Sequence, residues 1–90
     1  MDYQVLTTDE FSKVIKKFNK HQELLNALDN KIKRLEENPY AVGKQLHGPL
    51  SHLHSTRLVA KFRLLFRIDE PQKMVYLETI DHRKDVYGPK

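Results

Sequence analysis

Residues 61 to 68, KFRLLFRI, alternate so regularly that one kind of element suits them best. Phe62, Leu64, Phe66 and Ile68 fall on one side of an extended strand, and Lys61, Arg63, Leu65 and Arg67 fall on the other. The Asp69-Glu70-Pro71-Gln72 stretch that follows is a turn signal, which favours the strand over a helical reading through Phe62, Leu65 and Phe66. A strand of this kind buries its apolar face and presents basic side chains on the other. The rest of the chain must therefore cover the first face, and the second needs a partner or water.

The cover lies upstream. TTDEFSKVIKKFNK sets Phe11, Val14, Ile15 and Phe18 on one helix face, with Thr7 and Glu10 spaced as a capping box and Lys13, Lys16, Lys17 and Lys20 opposite. QELLNALDNKIKRLEE gives a second apolar stripe, Leu25, Leu28, Ile32 and Leu35, that stops at Asn38-Pro39. The opening DYQVLTT reads as an edge strand, and NPYAVGKQLHGPL as an irregular connection punctuated by Gly and Pro. Strands are predicted over roughly residues 52 to 59, 61 to 68 and 73 to 80, the last apolar on both sides in its middle, as in a central strand. The order β-α-α-β-β-β predicts an α+β fold, with two N-terminal helices packed on one face of a small antiparallel sheet. Arg63 and Arg67 are expected on the open face.

At 90 residues the chain is expected to form a single domain, residues 1 to 90, with a thin core. It has no cysteine, so no disulfide can staple that core, which fits a reducing cytosol. No apolar run reaches the length of a membrane span and the first residues lack a secretory pattern, so a soluble, cytoplasmic protein with no membrane partner is expected. Sixteen Lys and Arg against twelve Asp and Glu give a net charge of +4, but the distribution matters more. Between Asn38 and Ile68 there is no acidic residue, while Lys44, Arg57, Lys61, Arg63 and Arg67 are present with His47, His52 and His54. Such a block attracts polyanions, nucleic acid first among them, although charge alone is also compatible with a merely solvated basic surface. Lys61 and Arg67 read most simply as the wet side of a strand. His52 and His54 could share a strand face, but zinc needs three or four ligands and nothing nearby completes a set, so no metal and no cofactor are expected. Tyr40 and Tyr76 can stack on bases or simply pack.

Two stretches carry a family resemblance. QLHGPLSHLHSTRLVAKFRLLF aligns without gaps on the PLKxxLSGxWSRRI to HRLVY pattern of YoeB-like proteins through Leu46, Gly48, Leu50, Ser51, Ser55, Arg57, Arg63, Leu64 and Phe66. IDHRKDVYG resembles the HRxxVY tail of RelE-like proteins through His82, Arg83, Val86 and Tyr87. The chain thus resembles the RelE/ParE superfamily of toxins from type II toxin-antitoxin systems, closest to its RelE/YoeB-like mRNA interferases.

That resemblance implies a metal-independent endoribonuclease that cuts mRNA on the ribosome, touching 16S rRNA, and that a cognate antitoxin silences in a toxin-antitoxin hetero-oligomer. The ribose 2′-hydroxyl attacks the adjacent phosphate, so the site must accept a proton, neutralise a pentavalent transition state and protonate the departing 5′ oxygen. Arg57 and Arg63 match the family's phosphate-contacting arginines, a task that suits a planar guanidinium fork. His82 is the implied proton-transfer group and Tyr87 the second, stacking or sharing the proton. Lys44, Lys61 and Arg83 are implied substrate contacts. Lys44 stands where the YoeB-like pattern has a glutamate, so no general base is aligned. The competing readings are a ParE-like gyrase poison with no active site, and a weak remnant that binds antitoxin or RNA without cutting. The convergence of Arg57, Arg63 and His82 on one RNA linkage is the expectation that decides for the ribonuclease.

Overall fold

The computed structural model describes residues 2 to 82. Strand β1 (Gln4–Thr7) leads into helix α1 (Asp9–Lys16), helix α2 (Gln22–Glu37) and a single turn of helix α3 (Pro39–Val42). Strand β2 (Lys44–Gln45), a 3-10 turn over Gly48–Leu50, and strands β3 (His54–Arg57), β4 (Phe62–Asp69) and β5 (Met74–His82) follow. The sheet order is β1-β5-β4-β3-β2. All neighbours are antiparallel except β1 and β5, which run parallel, so the sheet is mixed where sequence led to an antiparallel one. The parallel return needs a long connection, and here it is the whole chain between them, helices and strands β2 to β4 together.

The helix pair forms as its periodicity requires, and it covers one sheet face. Phe11, Leu24, Leu28 and Leu35 from the helices meet Leu64, Phe66, Val75, Leu77 and Ile80 from β4 and β5 in one core. The N-cap of α1 is Thr8 rather than Thr7: its hydroxyl accepts from the Phe11 amide at 3.1 Å and donates to the Leu77 carbonyl at 2.9 Å. Thr7 is already committed to β1, opposite Leu77. Asn38 ends α2 and its side chain then caps α3, which puts regular structure where Pro and Gly suggested a loop. Gly43 is required at the approach to β2, because a Cβ there would lie 2.7 Å from the Ser55 carbonyl and 3.0 Å from the Phe66 ring.

One surface cluster ties the start of the chain to the β4–β5 turn. The hydroxyls of Tyr3 and Tyr40 donate to the same Glu70 carboxylate oxygen at 2.8 and 2.7 Å, while Lys73 donates to the other at 2.6 Å. These donors, Lys73 foremost and then Tyr40 and Tyr3, pull the Glu70 carboxyl down from 4.5 to about 2. A depressed carboxyl stabilises the fold above its unfolded value and loses that contribution as pH falls through its folded one. The melting temperature is therefore expected to fall more steeply between pH 4.5 and about 2 in the wild type than in Glu70→Gln. Calorimetry across that range checks it; parallel curves would remove the role.

Candidate functional site

The face of the sheet turned away from the helices is built by strand parity. Arg57 and Arg63 are direct cross-strand partners, and Arg63 in turn faces Asp81 on β5. Two residues along, the next rung on this face runs from Lys44 through Ser55 and Leu65 to Thr79. Four strands thus place cations, a hydroxyl and a carboxylate on one patch. Its most regular part is a pair of guanidinium groups whose Cβ atoms lie about 5 Å apart, as for any directly opposed antiparallel pair.

Each arginine is held at its Nε. Arg63 Nε donates to the Ser55 hydroxyl at 2.7 Å, and Arg57 Nε donates to the Ala60 carbonyl at 3.3 Å. Ala60 adopts a positive φ of 53° in the β3–β4 turn, which turns that carbonyl back towards Arg57. Anchoring a guanidinium by one edge limits its rotation and sets the plane in which it meets an anion. A groove of about 350 Å³ lies beside Arg63, lined by the apolar Leu46, Leu50, Leu65 and Ile80 and by the polar His47, Ser55, Thr79 and Asp81. A smaller cleft of about 200 Å³ opens between Arg57, Ala60, Lys61 and Arg63. The arrangement suits a ligand that carries a phosphate beside an apolar ring, and both cavities draw on Arg63.

Of the residues read as a site, the structure brings together Arg57, Arg63 and Lys61, with Lys44 on the same face two strands from Leu65. It does not bring His82 to them. His82 pairs with Phe62, and its ring stacks on the Phe62 ring at 4.6 Å. Phe62 packs edge-on against Phe18 at 5.2 Å and His21 at 5.6 Å, so His82 belongs to the helix side of the sheet. The expected convergence of the imidazole with both guanidiniums is not met, so it no longer decides for a ribonuclease, and that reading has to rest on the arginine pair without the histidine. The cause is a bulge in β5: Leu65 faces Thr79 while Phe66 faces Leu77, leaving Glu78 extra. Inward positions therefore shift from Val75 and Leu77 to Ile80 and His82, and Asp81 turns outward in place of the histidine. Arg83 and Tyr87 lie outside the described residues.

The remaining candidates resolve into structure. Arg67 pairs with Glu78 at 3.2 Å and sits 4.3 Å over the Tyr76 ring, so it packs rather than merely facing water. His54 stacks on Phe66 at 5.5 Å with its Nδ1 buried and unpartnered, and burial pushes its pKa down. His52 is exposed in the preceding turn, away from any strand. Among the described residues no three His, Asp or Glu side chains could hold a metal ion. Sequence reasoning names His47, Leu46, Leu50 and Leu65 without joining them into a groove, and it misses Asp81, which only the bulge, invisible to periodicity, exposes.

The comparisons with known proteins bear on the family and the fold. Residues 5–89 match the profile of the ParE-like toxin of type II bacterial toxin-antitoxin systems. A protein of Methanosarcina mazei is 36% identical over 78 residues, which span 87% of this chain and 86% of its own. The toxin-antitoxin complex RelBE2 of Mycobacterium tuberculosis contains a chain 30% identical, superposing with a TM-score of 0.78 over 92% of this chain and 100% of that one. The YoeB/ParE toxin of Agrobacterium tumefaciens shares the fold at a TM-score of 0.78, with 14% identity over 90% of this chain and 99% of its own. With a family profile spanning nearly the whole length and a RelBE2 chain 30% identical in the same fold, this chain belongs to the RelE/YoeB/ParE-like toxins of type II toxin-antitoxin systems.

Proposed function

We propose that this toxin is an endoribonuclease that cuts mRNA on the ribosome by attack of a ribose 2′-hydroxyl on the adjacent phosphate. The observation that carries the reading is the Arg57–Arg63 pair, opposed across one rung and each anchored at Nε. Two fixed cations at one point neutralise charge that builds on a phosphorane far better than mobile surface charges do. Lys61 beside them and Lys44 along the same face extend the positive field to flanking phosphates. The groove's leucine wall gives an adjoining base an apolar surface. Arg83 and Tyr87 complete the reading through the RelE-like tail, as a phosphate contact and a proton donor to the 5′ oxygen. An antitoxin with an acidic segment over the open face would silence the site by occupying the same arginines. The related chain of Mycobacterium tuberculosis comes from a toxin-antitoxin complex, which supports an antitoxin partner.

The ParE-like family profile supports a second reading, a gyrase poison that acts by binding. Message ends mapped after induction from a tight promoter separate the two. Codon-phased cuts that disappear in Arg57→Ala and Arg63→Ala are expected. Intact message with gyrase-linked DNA breaks would overturn the ribonuclease in favour of the poison.

A further inference from the structure

The ribonuclease reading leaves the proton on the attacking 2′-hydroxyl without an acceptor. Lys44 occupies the position where the YoeB-like pattern carries a glutamate, and His82 lies on the other side of the sheet. The bulge at Glu78 that removed His82 has a second effect. It turns Asp81 onto the open face, directly opposite Arg63, on the rung that already holds Arg57.

We propose that Asp81 is the general base of the reaction. The proposal rests on the ribonuclease reading and adds the group that reading lacks. Among the described residues lining the groove, Asp81 alone carries a carboxylate. The spacing also fits. Opposed residues on one rung have their Cβ atoms about 5 Å apart, while a hydroxyl in attack position lies ~3–3.5 Å from its phosphorus. Arg63 and Asp81 stand on facing positions of neighbouring strands and line the same groove, so a message held by its phosphate at Arg63 would present its ribose beside the carboxylate. A base must come within about 2.6–3.2 Å of the oxygen whose proton it takes. Both groups stand on hydrogen-bonded strands, which hold a reacting pair more tightly than a loop does.

The step balances without another reactant than water. The Asp81 carboxylate takes the 2′-hydroxyl proton as the O2′–phosphorus bond forms. The phosphorus–O5′ bond breaks, and its electron pair leaves with O5′, which takes a proton from water. The products are a 2′,3′-cyclic phosphate and a free 5′-hydroxyl, and Asp81 returns its proton to solvent. His47, which lines the groove just before the 3-10 turn, is the rival acceptor.

Asp81 also faces Arg63, so a purely orienting role must be told apart from proton transfer. The test is single-turnover cleavage by the full chain on ribosomes stalled at a defined message codon, measured across pH for wild type, Asp81→Asn, Asp81→Glu and His47→Gln. Asp81→Asn is expected to lose ~10²–10⁴-fold in rate, the range for removing a general base. The acid limb of its pH profile should also vanish, while its affinity for a message with 2′-deoxyribose at the cut stays at the wild-type value. Asp81→Glu, which keeps the carboxylate, should recover part of the rate and the limb. A wild-type-shaped profile in Asp81→Asn, a matching loss of affinity, or loss of the limb in His47→Gln instead would overturn the proposal while leaving the ribonuclease standing. Failure of the wild type to cut at all would withdraw both.

Discussion

Arg63→Ala is expected to slow message cleavage by at least ~100-fold, the cost of removing one fixed donor from a charged transition state. Arg63 carries more of this than its neighbours because it borders both cavities of the open face and stands between Arg57 and Asp81. Arg63→Lys retains the charge but gives up the planar fork and the 2.7 Å bond to Ser55, so it should recover only a minor part of the rate. Ser55→Ala, which keeps the guanidinium and loses its anchor, should cost less than Arg63→Ala. Single-turnover cleavage measured beside thermal melts separates chemistry from folding. Near-normal cutting by a folded Arg63→Ala protein would remove the arginine pair from the site, and with it the main support for a ribonuclease.

What sequence made legible follows from which forces are periodic. The stripes Phe11 to Phe18 and Leu25 to Leu35 specify two helices because apolar burial repeats every three to four residues, and both appear with the expected bounds to within a few positions. Yet Leu24, outside the predicted stripe, is fully buried, since the face of α2 that meets the sheet is wider than four residues imply. The alternation of residues 61 to 68 placed Leu64 and Phe66 inside and Arg63 outside, as found. Strand β2 went unseen because two residues give no alternation to detect, and β3 proved shorter than predicted because Leu58 and Val59 already belong to the turn. The site divides along the same line. Arg57 and Arg63 sit on strands of unbroken period and came out together, whereas His82 lies beyond a bulge and came out on the wrong side. A single inserted residue costs little in the ladder but reverses the facing of everything after it, and no local property of Glu78 announces the insertion.

Phe66→Ala is expected to have the largest effect on the fold itself. Phe66 has no exposed surface, its ring stacks on His54 at 5.5 Å, and it fills the space that Gly43 leaves open by lacking a Cβ. Truncating a buried phenylalanine costs about 3–5 kcal/mol. Against a total of about 5–15 kcal/mol for a domain, that is a large share of the stability. In a domain of this length it corresponds to a fall in melting temperature on the order of 15–30 °C. The loss should be worse than volume alone implies. His54 Nδ1 is buried without a partner, and with the ring gone the imidazole would border a cavity too apolar to hold water well. Phe66→Leu, which refills most of the space, should lose distinctly less. Because β4 carries Arg63 and pairs with the strand carrying Arg57, cutting by Phe66→Ala should fail on warming together with the fold, at a temperature where Arg63→Ala is still folded and inactive. A fall of less than ~5 °C would show that β3 and β4 are held chiefly by their hydrogen-bonded ladder, with the aromatic contact secondary.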